Sequence, residues 1–290
     1  MLKGGEPMPV AESTLTGEGL EITWERNALE LEAVSFSYPS WDVLRGVTFR
    51  LRYGEVCSVL GNNGAGKTTL LKCILGILKP SDGVVLVEGD CALSLRPTER
   101  ARRMGYVPQR HDGHHRLTVF EAVLLGRKPY VNWSAGRRDL EVVESVLGRL
   151  GLSHLSLRYT DELSGGELQK VIIARALAQE PRIILLDEPT NNLDLRNQVE
   201  MMDILRSEAR RSGLCVLSAI HDINLALRYS DKFVILKDGR VQRWGGPEVV
   251  TEEAVEEAYG VRVKMVDLDG VRCCLPVAPG TSGNPGGKSQ

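Results

Sequence analysis

The sequence predicts an α/β fold, a layered core of alternating strands and helices with a helical block inserted into it. Three observations predict it. The apolar run Val56-Cys57-Ser58-Val59-Leu60 leads through a glycine-rich loop into Leu70-Leu71-Lys72-Cys73-Ile74-Leu75-Gly76, a strand, a loop and a helix in succession. From Arg182 to Leu236, short apolar runs alternate with stretches of helical spacing. Between about 110 and 178, helical spacing continues with no strand.

The elements follow in order. Residues 1–28 are polar and without a clear period, and are expected to form a flexible extension. Leu29–Phe36 alternates partly at period two, and Val43–Arg52 follows as a second strand. Gly54 turns the chain into the Val56–Leu60 strand. Pro80-Ser81-Asp82-Gly83 is a turn before a strand over Val84–Gly89. Pro97–Met104 reads as a short charged helix with proline in its first turn. Gly105–Gln109 is a short strand and its exit. Thr118–Leu125, Gly136–Leu150 and Leu163–Ala178 are the inserted helices. Strands at Arg182–Leu186, Leu214–Ala219 and Phe233–Leu236 then alternate with helices at Asn197–Arg211 and Ile223–Tyr229. Thr251–Tyr259 is a short acidic helix, and Arg262–Val266 with Val271–Leu275 suits a terminal hairpin. Residues 276–290 are rich in Gly, Pro and Ser and are expected to be disordered.

Composition narrows the function. The chain has 290 residues, 42% of them apolar, which suffices for a substantial core. A formal charge of −2 supplies no basic field for nucleic acid. Runs such as Ile183-Ile184-Leu185-Leu186 are too short to span a bilayer, and Met1–Pro7 has no apolar signal core. A soluble, cytoplasmic protein is expected, with any membrane role lent by a partner. Cys57, Cys73, Cys91, Cys215, Cys273 and Cys274 include no C-x-x-C pair and are expected to be reduced.

The chemistry begins at Gly61-Asn62-Asn63-Gly64-Ala65-Gly66-Lys67-Thr68-Thr69. This is G-x-x-x-x-G-K-[ST] between a strand and a helix. Its glycines permit backbone conformations closed to other residues, so successive N–H groups can turn toward an anion. The helix N-terminus adds its partial positive charge. Lys67 can reach terminal phosphates, and the Thr68 hydroxyl can ligate Mg²⁺. A second station is Ile183-Ile184-Leu185-Leu186-Asp187-Glu188, a buried strand ending in two acids. Beside the loop, Asp187 would serve the Mg²⁺ shell and Glu188 would polarise a water. A third is Leu163-Ser164-Gly165-Gly166-Glu167. Its S-x-x-E spacing is that of a capping box. With the bare N–H groups of Gly165 and Gly166 at a helix start, it also reads as a second anion site. His111, His114 and His115 read as a solvated loop or a small metal cluster, and His154 as structural.

Together these residues resemble the nucleotide-binding subunit of ATP-binding cassette (ABC) proteins, over about residues 29–265. In that family a phosphate loop, a glutamine loop, an LSGGQ-like signature, a Walker B strand, a D-loop and a switch histidine occur in this order. Here they are 61–69, Gln109, 163–167, 183–188, Asn192-Leu193-Asp194 and His221. The signature ends in Glu167 where many members have glutamine. The resemblance implies a P-loop NTPase core, RecA-like α/β plus an antiparallel β subdomain, with an inserted α-helical subdomain. The nucleotide-binding domain would span 29–275, its helical subdomain about 110–178. The resemblance further implies ATP and Mg²⁺ as cofactors, Mg²⁺ being held by Thr68, Gln109 and Asp187. Tyr38 would stack on adenine, its alternative being an edge aromatic. Gln109, Glu188 and His221 would be catalytic. Ser164, Gly165, Gly166, Glu167 and Asp194 would act in trans, across a head-to-tail homodimer holding two ATP.

The chain has a single cassette and a short helical insertion. The run Leu125-Gly126-Arg127-Lys128-Pro129-Tyr130 is similar to ATPases of iron–siderophore, haem and cobalamin importers, as are His221–Ala226 and Gly246–Thr251. That similarity implies ATP hydrolysis on the cytoplasmic face of the cell membrane, a separate permease and, indirectly, a substrate-binding protein. A soluble cassette ATPase without a permease, as in iron–sulfur cluster assembly, is the alternative. Arg127 and Tyr130 are expected to be exposed and to meet a cytoplasmic helix of the permease. The competing reading packs Tyr130 inside the insertion and leaves Arg127 solvated.

Overall fold

The computed structural model describes residues 12–16, 19–23, 27–109, 116–131 and 133–277. The histidines at 111, 114 and 115 and the tail beyond 277 lie outside the described residues. The described part of the first 28 residues differs from the flexible extension expected there. Strands β1 (Glu12–Thr16) and β2 (Gly19–Thr23) pair as an antiparallel hairpin with Leu15 opposite Leu20. The period-two alternation of Gly19-Leu20-Glu21-Ile22-Thr23 is the signal that was overlooked.

Two sheets carry the rest. β3 (Asn27–Tyr38), β4 (Trp41–Arg52), β6 (Asp82–Val87) and β7 (Asp90–Cys91) form a four-stranded antiparallel sheet ordered β4-β3-β6-β7. The second sheet is built from β5 (Val56–Leu60), β8 (Met104–Val107), β9 (Ile183–Asp187), β10 (Cys215–Ala219), β11 (Lys232–Lys237) and β12 (Arg240–Gly245). Its order is β12-β11-β5-β10-β9-β8, parallel except at β12. Every residue of β5, β9 and β10 is buried. This explains why they read as predominantly apolar runs without polar alternation, for a parallel strand is covered on both faces.

Alternate residues of these strands feed two cores. Cys57, Val59, Leu185, Leu217 and Val234 pack with α1 (Lys67–Ile74) and the antiparallel sheet. Val56, Leu60, Ile184, Leu186 and Val216 pack instead under the helices. Those helices are α3 (Val119–Leu124), α4 (Arg137–Arg149), α5 (Gly165–Ala178), α6 (Leu195–Ser212), α7 (Ile223–Tyr229) and α8 (Glu252–Tyr259). The short α2 (Pro97–Arg103) precedes β8. A C-terminal hairpin pairs β13 (Val263–Leu268) with β14 (Val271–Pro276), so β14 ends on the first residue of the expected tail.

Strand β12 was not expected. It is half-exposed and lacks an alternating apolar face. The Asp238-Gly239 pair before it was the available signal. Both residues have positive φ, +47° and +75°, and Lys237 pairs with Arg240. That is the two-residue turn Asp-Gly favours. A Cβ on Gly239 would lie 2.1 Å from the Val43 carbonyl oxygen, and the Gly239 carbonyl accepts the Arg45 N–H at 2.8 Å. The turn thus ties the parallel sheet to β4.

The helical insertion corrects the expected docking residues. Arg127 is only 3% exposed. Its Nε donates to Asp139 Oδ1 at 2.9 Å, and its Nη1 to the Ala178 carbonyl and Glu180 Oε2, both at 2.8 Å. Its guanidinium lies 4.1 Å from the centre of the Tyr130 ring. Tyr130 is half-buried and donates its hydroxyl to the Gln179 carbonyl at 3.1 Å. A Cβ on Gly126 would come within 2.1 Å of the Arg175 carbonyl oxygen. The Leu-Gly-Arg run therefore lets a helical turn press against α5, and Arg127 ties α4 to the end of α5. Arginine here is neither solvated nor a surface anchor. It is the brace of the insertion.

Candidate active site

The phosphate loop takes its shape from its glycines. Gly61, Gly64 and Gly66 have φ of +150°, +83° and +103°, values that residues with a Cβ rarely adopt. A Cβ on Gly61 would also lie 2.3 Å from the Leu236 carbonyl oxygen. Asn62, Asn63 and Gly64 are exposed, while Ala65 is buried beneath them. Lys67 opens α1 with only 6% of its surface exposed. Its Nζ donates to the carbonyl oxygens of Gly61 at 2.7 Å and Asn62 at 3.0 Å. Burial lowers the Lys67 pKa, an effect that Glu188 and Asp187 partly oppose.

Asp187 ends β9 with 2% exposure and accepts the Thr68 hydroxyl at 3.0 Å. Burial raises its pKa, against the opposing Thr68 hydrogen bond. A buried carboxylate and a hydroxyl at this spacing are the hard oxygen donors that suit Mg²⁺, and a divalent ion there would offset the burial of Asp187.

Glu188 is the meeting point. It follows β9 with φ +52°, a strained value for glutamate. Its N–H donates to the Ala219 carbonyl at 3.0 Å, which fixes it beside the end of β10. Gln109 Nε2 donates to Glu188 Oε2 at 2.5 Å, and His221 Nε2 touches Oε1. Asn191 Nδ2 also donates to Oε2, at 3.1 Å. The sequence reading missed Asn191. Its signal was an amide residue three places after the acid, within reach of a turn. Gln109 leaves β8, Glu188 leaves β9 and His221 leaves β10, so the parallel order of the sheet gathers them at one edge, where ligands of such sheets sit.

Tyr38 closes β3 opposite Trp41. Its ring centre lies 5.0 Å from Phe36 and 5.4 Å from Trp41. Close by on β4, Val43 and Leu44 pack against Gly66, as a Cβ there would lie 3.0 Å from Leu44 Cδ2. The tyrosine thus stands on the sheet that covers the phosphate loop.

The signature lies apart. Ser164 caps α5, its Oγ accepting the Glu167 N–H at 3.3 Å while Glu167 Oε2 accepts the Ser164 N–H at 2.9 Å. The capping box is present. Gly165 has open space around it, whereas a Cβ on Gly166 would fall 2.5 Å from the side chain of Asn197. Asp194 caps α6 by accepting the Asn197 N–H at 2.8 Å. Signature and D-loop are thereby packed together. Among the described residues no hydrogen bond or ion pair joins either to the phosphate loop.

A family model described as ABC transporter matches residues 44–191. An uncharacterised ABC transporter ATP-binding protein of Methanocaldococcus jannaschii is 50% identical over 249 residues, covering 86% of this chain and 98% of that protein. A cobalamin import ATP-binding protein of Halobacterium salinarum is 39% identical over 238 residues, covering 82% of this chain and 60% of that protein. Among solved structures, an inward-facing metal-chelate type ABC transporter aligns with a TM-score of 0.76 at 29% identity, covering 87% of this chain and 97% of that one.

Proposed function

We propose that this chain, which belongs to the ABC transporter family, is the ATP-hydrolysing subunit of an importer for a metal chelate or cobalamin. The chelate would be an iron–siderophore or haem, passing through a separate permease fed by a substrate-binding protein. Among the described residues no helix is long and apolar enough to cross a membrane. The chain would sit against the permease at the cytoplasmic face of the cell membrane. The name of the Halobacterium relative and the metal-chelate neighbour support the substrate class.

The observation that carries the ATPase reading is the convergence of Gln109, Asn191 and His221 on Glu188, one residue after the Thr68–Asp187 pair. The loop N–H groups and Lys67 would hold the β- and γ-phosphates. Thr68 and Asp187, with Gln109 nearby, would hold Mg²⁺, which neutralises charge on the phosphates when bound. Glu188 would orient and polarise the attacking water. Gln109 and Asn191 engage one of its carboxylate oxygens and His221 the other, which leaves an acceptor position for a water. Tyr38 would stack on the adenine ring.

Separation of the signature from the phosphate loop supports a head-to-tail homodimer. Ser164, the bare N–H groups at Gly165 and Gly166, and Asp194 would close on the partner protomer's ATP. Mixing Ser164→Arg chains with Lys67→Ala chains tests this. In a mixed dimer one composite site keeps both faces and the other has neither. Activity well above either variant alone is expected, and a mixture no better than its components would overturn the trans site.

A further inference from the structure

We propose that Tyr259 and Asn224 are positioning residues, through which α8 and the β13–β14 hairpin brace the phosphate loop and the His221 segment. The inference rests on the nucleotide-site reading above and assigns a role to the C-terminal part of the chain.

The C-terminal elements form one unit. Met265 N–H donates to Glu252 Oε1 at 2.9 Å and Lys264 Nζ to Glu252 Oε2 at 3.1 Å, which holds β13 to the first turn of α8. Val250, Ala254, Val255, Ala258, Val263 and Cys274 are buried in the core that also contains Ile220, Leu225 and Ile235. The unit is therefore anchored to the ends of β10 and β11, beside the site.

At its first contact, Tyr259 ends α8 and Gly260, at φ +72°, turns the chain away. The Tyr259 hydroxyl accepts the Gly61 N–H at 2.9 Å, across 198 residues of sequence. Gly61 is buried and lies just beyond the last residue of β5. Its carbonyl receives Lys67 Nζ at 2.7 Å, and Leu236 leaves no room for a side chain on it. One peptide residue is thus held from three directions, and the lysine that would meet the γ-phosphate rests on it. A buried N–H robbed of its acceptor costs far more than an ordinary hydrogen bond is worth. The loop would shift to recover a partner.

At the second contact, Asn224 lies in the first turn of α7, three residues after His221. Its Nδ2 donates to the Cys274 carbonyl at 3.1 Å, and its Oδ1 accepts the Cys274 N–H at 2.7 Å. The carboxamide pairs with β14 as a neighbouring strand would. Asp222 Oδ1 accepts the Leu225 N–H at 3.0 Å and caps the same turn. The position of His221 is then set by a helix start that β14 holds in place.

The two contacts predict different kinetic losses. In the full-length protein, Tyr259→Phe keeps the ring and removes only the hydroxyl that accepts the Gly61 N–H. KM for ATP should rise about tenfold with kcat within about twofold, because phosphate binding in the ground state is what loosens. Hydrogen exchange at the Gly61 amide should accelerate by a similar factor. Asn224→Ala should lower kcat about tenfold with KM near the wild-type value, since the displaced group acts on the reacting phosphate. Lys67→Ala is the control for the site itself. If it loses ATP binding while Tyr259→Phe keeps wild-type KM and Gly61 exchange, the brace is wrong and the nucleotide site stands. If both brace variants merely melt earlier with kcat and KM unchanged, the brace is again wrong. Wild-type ATP affinity in Lys67→Ala would overturn the nucleotide site and the brace with it.

Discussion

Lys67 and Arg127 are both buried cations, 6% and 3% exposed, and their surroundings differ. Arg127 has two carboxylates, a carbonyl and an aromatic face around it. Lys67 has two carbonyl oxygens, and among the described residues no carboxylate lies within ion-pair distance of it. Arg127 is satisfied by its own chain. Lys67 bears a charge that burial disfavours and that Glu188 and Asp187, beyond ion-pair distance, only partly support. Burial alone therefore does not separate architecture from function. The supply of counter-charge does, because a buried cation short of anions is one for which an anionic ligand has most to offer.

Glu188→Gln probes the ligand side of this contrast and carries the largest expected effect. It preserves size and most hydrogen bonding but removes the charge proposed to polarise the attacking water. Single-turnover hydrolysis should fall by about 10²-fold or more, the usual range for loss of a general base, while ATP still binds and light scattering sees a trapped dimer. Near-normal turnover would remove Glu188 from the catalytic role. Arg127→Met probes the other side. It removes the hydrogen bonds that Arg127 gives to Asp139, Glu180 and the Ala178 carbonyl, leaving Asp139 with the Gly136 N–H alone, and should cost about 1–3 kcal/mol in denaturant unfolding. ATP affinity of the folded fraction should stay at the wild-type value. If stability is unchanged, the brace assigned to Arg127 fails.

Lys67→Met makes the comparison sharper, since the same substitution is made at the other cation. ATP affinity, measured by titration, should drop about 10- to 100-fold, as for lost hydrogen bonds to a charged group. Unfolding free energy should stay within about 0.5 kcal/mol of wild type or rise, because a disfavoured buried charge is gone. A large loss of stability would make Lys67 another structural cation.

The smallest effects are those of pH. Asp139 is held below its usual pKa by the Gly136 N–H first and Arg127 second. A depressed carboxylate stabilises above its unfolded value, roughly pH 3.9, and that contribution is lost as pH falls through the lower folded value. The stability gap between wild type and Asp139→Asn should therefore close below about pH 4. Lys67 has the opposite consequence. Its depressed folded pKa costs stability at lower pH, and the cost is relieved as pH rises toward roughly 10.4. Lys67→Met should abolish that alkaline gain. A gain that persists in the variant would locate it elsewhere.

The legible parts of this protein were those in which local sequence and chemistry coincide. Val56–Leu60 and Ile223–Tyr229 match their predicted spans residue for residue. Buried parallel strands are predominantly apolar, and a phosphate loop must combine glycines with a lysine at fixed spacing, so both announce themselves. Asn191 was missed because a single amide has no pattern of its own. Its meaning comes from the turn that brings it back to Glu188. Strand β12 was missed because an edge strand need not alternate, although Asp238-Gly239 marked its turn.

By itself the sequence determined the layered α/β order, the phosphate loop, the acids that end β9 and the family they belong to. All of these depend on neighbours a few residues apart. The tertiary structure alone decided that Arg127 is internal, for its carboxylate partners lie 12 and 53 residues away. It alone joined Tyr259 to Gly61 across 198 residues. A charge or a hydroxyl reads the same on a surface and in a core. Only the folded chain supplies the partners that distinguish the two, because desolvation and hydrogen-bond geometry are set by what packs around a group and not by what precedes it.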